Sequence, residues 1–149
     1  MVFSAAESFY DFAKPDNKKV LITEPVFEWE AERIGASAPP VKIDDEHWLL
    51  CYHGKQDDVM GYTQNFMVFK ARENDFPELI YHKDERLITV TEDWELPDKF
   101  DIPCIFVTGM VKKDNKLILS YAAKEENVGM MFIDYEELLE HLRINGADI

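Results

Sequence analysis

Residues 21–30 read Leu-Ile-Thr-Glu-Pro-Val-Phe-Glu-Trp-Glu, and residues 87–95 read Leu-Ile-Thr-Val-Thr-Glu-Asp-Trp-Glu. Each stretch leads to a proline-marked segment, Ala38-Pro39-Pro40 and then Ile102-Pro103-Cys104, and from there to an apolar run ending in tyrosine, Tyr52 and then Tyr121. Leu21 and Leu87 stand 66 residues apart, Trp29 and Trp94 65, and Tyr52 and Tyr121 69. A repeat of this length with uneven spacing is the pattern of sheets arranged radially, with insertions falling in loops. A single such sheet cannot bury its own apolar face, so the units stack. The repeat predicts blades of a β-propeller, in a chain too short for a whole ring.

Local patterns agree. Val20 to Ile22, Val41 to Ile43, His47 to Tyr52, Gly61 to Lys70, Leu79 to Tyr81, Leu87 to Val90, Ile102 to Met110, Leu117 to Tyr121 and Val128 to Ile133 are strand candidates, and the turn at Lys112 to Asn115 joins two of them. The charged stretch Glu28 to Arg33 is expected to be exposed, Trp48 to be a core anchor, and Pro39-Pro40 to lie in a loop or at a sheet edge. One helix is expected, at the C-terminus: Asp134 caps it, Glu137 stands three residues on, and Leu138, Leu139 and Leu142 form its stripe. With 149 residues and no linker rich in glycine, serine or proline, the chain reads as a single domain, 1–149, with blade-like repeats near 20–70 and 86–133.

The net charge is -14, from 16 basic and 30 acidic residues. That argues against nucleic acid, whose phosphates are held by clustered lysine and arginine, and against anionic membrane surfaces. Cys51 and Cys104 form no CxxC pair and read as small core residues, so neither zinc nor thiol-redox chemistry is expected. No glycine-rich phosphate loop, HExxH or GxSxG element is present. With no signal-peptide pattern and no apolar run of spanning length, the expected location is cytoplasmic.

From Trp29-Glu30 onward the chain resembles glycoside hydrolase family 130, which contains β-mannoside phosphorylases and β-mannosidases on a five-bladed propeller. The resemblance is carried by Trp29-Glu30, Arg33-Ile34-Gly35, Ala38-Pro39-Pro40-Val41, and above all Trp48-Leu49-Leu50-Cys51-Tyr52-His53-Gly54. Weaker matches are Ile102-Pro103-Cys104 and Ser120-Tyr121-Ala122-Ala123-Lys124, with the helix from Asp134 to Leu142 in the place of the family's closing helix. The resemblance spans about residues 20–142 and implies an all-β fold: a partial five-bladed propeller of two to three blades with a short C-terminal helix.

It also implies functional residues. His53 takes the family's position against phosphate, where an imidazole donates to an anion or relays a proton. Tyr52, alternating away from His53, has core packing as its plainer reading. Trp29 and Trp94 recur in the repeat, which favours packing; an exposed tryptophan would instead stack on a sugar ring. Tyr121 and Lys124 stand where the family has glycine and aspartate, so a ring fills space near the sugar and a base replaces an acid. Asp101, ahead of Ile102-Pro103-Cys104, completes the candidates for substrate or phosphate contact.

No catalytic residue is assigned, because the family's catalytic aspartate lies in an N-terminal blade with no counterpart here. No cofactor or metal is expected; inorganic phosphate is the co-substrate the resemblance implies. Three readings stand open. One is a truncated propeller without catalysis of its own that binds a saccharide or self-assembles. Another is a β-mannoside phosphorylase or hydrolase completed by a partner chain or homo-oligomer. The third is a structural or interaction protein. The implied partners are a β-mannoside or other saccharide, and further copies or another chain supplying the missing blades.

Overall fold

A computed structural model describes residues 1–6, 8–73, 75–96, 102–124 and 126–149. It contains ten strands and one α-helix among the described residues. Strands β3 (Arg33–Ala36), β4 (Val41–Lys42), β5 (His47–Lys55), β6 (Tyr62–Lys70) and β7 (Glu78–Tyr81) form an antiparallel five-stranded sheet, with β3 and β4 both paired to β5. Strands β8 (Ile105–Lys113), β9 (Lys116–Ala123) and β10 (Asn127–Asp134) form a three-stranded antiparallel sheet. Strands β1 (Val2–Ser4) and β2 (Lys19–Leu21) make a short ribbon. The protein is mostly β, as the patterning predicts.

Alternation decides what each face buries. On one face of the five-stranded sheet, Leu49, Cys51, Phe66 and Val68 are fully buried and pack with Ile105, Val107, Leu117, Leu119, Tyr121 and Ala123 of the three-stranded sheet. Helix α1 (Tyr135–Ile144) adds Leu138, Leu139 and Leu142 to this core. Asp134 caps the helix, accepting the Glu137 amide at 3.3 Å. The opposite face of the five-stranded sheet buries Leu50, Tyr52, Met67 and Phe69 with Trp29, and the β1–β2 ribbon covers part of it, placing Phe3 5.1 Å from Phe69.

The repeated Trp-Glu dipeptides form the same structure twice. Glu28–Glu30 and Asp93–Glu95 are single 3-10 turns. In the first, Glu30 Oε2 accepts the amides of Val26 (2.9 Å) and Phe27 (3.3 Å). In the second, Glu95 Oε2 accepts those of Thr91 (2.9 Å) and Glu92 (3.0 Å). The tryptophan of each turn leans on the repeat tyrosine, Trp29 on Tyr52 at 5.5 Å and Trp94 on Tyr121 at 6.0 Å.

Three expectations are corrected. Glu28 to Arg33 is not uniformly exposed: Trp29 and Glu30 are buried, because the glutamate closes its own turn and its remaining oxygen meets His82 Nε2 at 2.6 Å. Leu87 to Val90 is not a strand; only Ile88 pairs, in an isolated bridge to Gln64. Trp48 is 36% exposed, because it stands near the outer end of its sheet on the face that the ribbon leaves partly open.

Candidate functional site

Three strands bring the polar side chains together. The β3–β5 and β5–β6 registers place Arg33, Lys55 and Tyr62 in one cross-strand row and Gly35, His53 and Gln64 in the next. Rows two residues apart share a face, so both continue the face that carries Cys51 and Phe66 into the core between the sheets. The site is therefore the polar rim of an apolar sandwich, closed from the other sheet by Phe106, whose ring lies 4.6 Å from His53.

A chain of hydrogen bonds fixes the His53 tautomer. Gln64 Nε2 donates to the Ile105 carbonyl at 2.7 Å, so Gln64 Oε1 is the acceptor for the Ser37 hydroxyl at 2.6 Å. Ser37 has then spent its single proton, and its oxygen, 3.2 Å from His53 Nδ1, accepts from that nitrogen. Nδ1 carries the hydrogen, and Nε2 makes no hydrogen bond among the described residues. Burial, reinforced by the Arg33 charge, lowers the His53 pKa to about 4, so the ring is neutral at pH 7. A neutral ring with hydrogen on Nδ1 offers Nε2 as an acceptor, suited to a hydroxyl of a sugar or a protonated phosphate oxygen. Positive charge comes instead from Arg33, whose Nη1 donates to the Tyr62 hydroxyl at 2.9 Å, leaving other guanidinium donors for an anion.

Gly35 makes room for this arrangement. A Cβ there would stand 2.8 Å from His53 Cε1 and 2.9 Å from Nε2, closer than side chains tolerate.

The other sequence candidates lie elsewhere. Tyr52 points to the opposite face, fully buried between Trp29 and His82 (5.4 Å), with no hydrogen-bond partner for its hydroxyl among the described residues; burial, then the Glu30 carboxylate, push its pKa up. Trp29 is buried over Gly54, where a Cβ would meet its ring at 2.4 Å. Tyr121 donates to Glu95 Oε1 at 2.7 Å, and burial with that bond pushes it up to about 12. Lys124 lies closer to the rim: its amide donates to the Cys104 carbonyl at 3.3 Å, and Cys104 bridges to Tyr62. Asp101 lies outside the described residues. Arg33, Ser37, Tyr62, Gln64 and Phe106 were not singled out by the sequence; strand alternation from His53 points to Cys51 and Lys55, but not to residues from other strands.

Burial works against charge on Glu30 and Glu95, yet bonds win at both. For Glu30 the His82 ring and the Val26 and Phe27 amides bring the pKa below its ordinary value. For Glu95 the Thr91 amide, the Tyr121 hydroxyl and the Glu92 amide do the same. Both carboxylates thus serve as structural acceptors. Among the described residues no group of three His, Cys, Asp or Glu side chains is placed to hold a metal ion, and no helix is long and apolar enough to cross a membrane.

Over residues 8–144 the sequence matches the profile of glycoside hydrolase family 130, described as beta-1,4-mannooligosaccharide phosphorylase. The chain belongs to this family. It is 27% identical over 111 residues to the beta-1,2-mannobiose phosphorylase of Thermoanaerobacter sp. (strain X514), a match covering 74% of this chain and 35% of that protein. The fold is similar to that of the beta-1,2-mannobiose phosphorylase from Listeria innocua, solved with beta-1,2-mannobiose: the TM-score is 0.66 at 20% identity, over 87% of this chain and 35% of the other. The two stacked sheets are thus part of a propeller-type fold, and the chain spans about a third of the length of the relatives it matches.

Proposed function

We propose that this chain carries the phosphate side of a β-mannoside phosphorylase-type site, binds inorganic phosphate and a mannoside hydroxyl there, and does not carry out phosphorolysis alone. The observation that supports it most is His53, held neutral with no hydrogen bond to Nε2 among the described residues, with its ring 5.8 Å from that of Tyr62, whose hydroxyl the Arg33 guanidinium also meets. Arg33 supplies the charge-assisted bonds that an oxyanion needs. Nε2 accepts a hydrogen from the phosphate's protonated oxygen or from the sugar. Phosphorolysis also needs an acid to protonate the leaving oxygen. The family resemblance implies that an aspartate of an N-terminal blade supplies this acid, and we propose that no residue of this chain takes that role. Further chains are proposed to complete the ring and the substrate cavity.

The test is phosphate titration of the purified protein by 31P NMR, with Arg33→Ala and His53→Ala alongside, followed by an assay for mannose 1-phosphate from β-mannobiose and phosphate. Losing the Arg33 bonds is expected to weaken phosphate binding by about 10-fold or more, from the ~1.5–3 kcal/mol of a hydrogen bond to a charged group. Loss of His53 is expected to weaken binding less. Phosphate binding unchanged in both variants would overturn the site. Turnover by the wild-type chain alone would overturn the non-catalytic part.

A further inference from the structure

We propose that copies of this chain stack head to tail, the open face of the three-stranded sheet in one copy covering the cleft on the five-stranded sheet of the next. The inference starts from how the two sheets meet within one chain. The Trp-Glu turn marks corresponding faces: Tyr52 lies on the Trp29 side of the first sheet, and Tyr121 on the Trp94 side of the second. In the shared core the tyrosine-bearing face of the second sheet packs against the other face of the first. The sheets therefore stack in the same sense, and each chain keeps one unmatched face of each kind.

Both unmatched faces are apolar. On the three-stranded sheet, Val128, Met130 and Phe132 alternate outward and are 80%, 57% and 64% exposed, with Ile118 opposite Phe132. On the five-stranded sheet the ribbon leaves a cleft of about 660 Å³ lined by Phe3, Pro39, Pro40, Trp48, Leu50 and Phe69. Exposed apolar area of this kind marks an interaction surface. Through the repeat, these two faces correspond to the two that the chain already joins internally, so a second copy is the occupant the fold itself points to.

Strand direction agrees. The Tyr62–Cys104 parallel bridge and the Gln64–Ile105 hydrogen bond set the starts of β6 and β8 at one end, so stacked sheets align end to end. Repeating that relation between copies brings Phe132 toward Trp48 and Phe69. Same-sense stacking is heterologous and gives a ring where the rotation closes and a filament where it does not.

Sedimentation velocity across a concentration series tests this, using wild type, Phe132→Asp and Trp48→Asp, with circular dichroism to verify folding of each variant. Wild type is expected to grow in size with concentration, and each variant to stay monomeric. A mixture of the two variants retains one intact pair of faces and is expected to form a dimer that grows no further. A monomeric wild type, variants that still assemble, a mixture that stays monomeric, or recovery of the chain in a complex with a different polypeptide would each overturn the proposal. Phosphate titration reports separately on His53, which lies at the polar rim between the two sheets and on neither of these faces.

Discussion

At the residue scale, His53 couples burial to protonation. Its pKa is about 4 in the folded chain against an ordinary 6.5. Between those values the unfolded chain takes up a proton that the folded chain refuses. This contribution to stability is complete above about pH 6.5 and declines as pH falls toward 4. Urea denaturation at several pH values is expected to show this slope, and His53→Gln to flatten it. Asp44 acts lower on the scale: its bonds to the His47 ring and the Glu46 amide hold it at about 2 against 3.8, so its share persists above 3.8 and is lost as pH falls toward 2. Gly35→Ala tests the geometry of the ring. The added Cβ would lie 2.8 Å from His53 Cε1, so the imidazole must shift off Ser37. Overpacking of this kind costs about 1–3 kcal/mol, read as a lower urea midpoint.

At the element scale, the Trp-Glu turn is the unit that repeats, and its glutamate is what closes it. Glu95→Ala would leave the Thr91 and Glu92 amides and the Tyr121 hydroxyl without their shared acceptor. The expected loss is about 1–3 kcal/mol in thermal or urea unfolding. Tyr121→Phe, which removes one donor and keeps the ring against Trp94, should cost less, about 0.5–1.5 kcal/mol. Equal losses would mean that Tyr121, not the turn, is the important partner. The repeat was legible in the sequence as Trp29 and Trp94, yet the adjoining glutamates read as ordinary surface charge. Nothing in a local pattern distinguishes a carboxylate that turns back on its own backbone from one in water. The same limit explains Leu87 to Val90: apolar content marked a strand, but only Ile88 has a neighbouring backbone to pair with. Alternation did separate the faces of Tyr52 and His53, because period two is a property of one strand. Arg33 beside Tyr62, and Phe106 over His53, depend on strand pairing and sheet stacking between distant residues, which no single-strand pattern contains.

For the whole molecule, the decisive fact is that one core joins the two larger sheets. Leu49, Phe66 and Val68 from the first sheet meet Leu117, Leu119 and Leu142 from the second sheet and the helix, all but free of solvent. Neither sheet covers that face alone, so neither should persist when the other unfolds. This leads to a single cooperative transition. Far-ultraviolet circular dichroism follows all the strands, whereas tryptophan fluorescence reports on Trp29, buried, and Trp48, half-exposed, both on the five-stranded sheet, and on half-exposed Trp94 beside the three-stranded sheet. The two signals are expected to give coincident urea curves, and replacing Trp94 by Phe should leave the midpoint seen by the remaining fluorescence aligned with circular dichroism. Separate midpoints would show that the sheets are independent folding units joined by a weak interface, and the same-sense stacking within the chain would then be too weak a template for stacking between copies. The β1–β2 ribbon is the exception to cooperativity. Its strands are three residues each, and its Phe3 packs on the outer face of the five-stranded sheet, away from the core shared by the two larger sheets. Its amides should therefore exchange with deuterium well before those of β5, β6 and β9, by local opening that leaves the shared core intact.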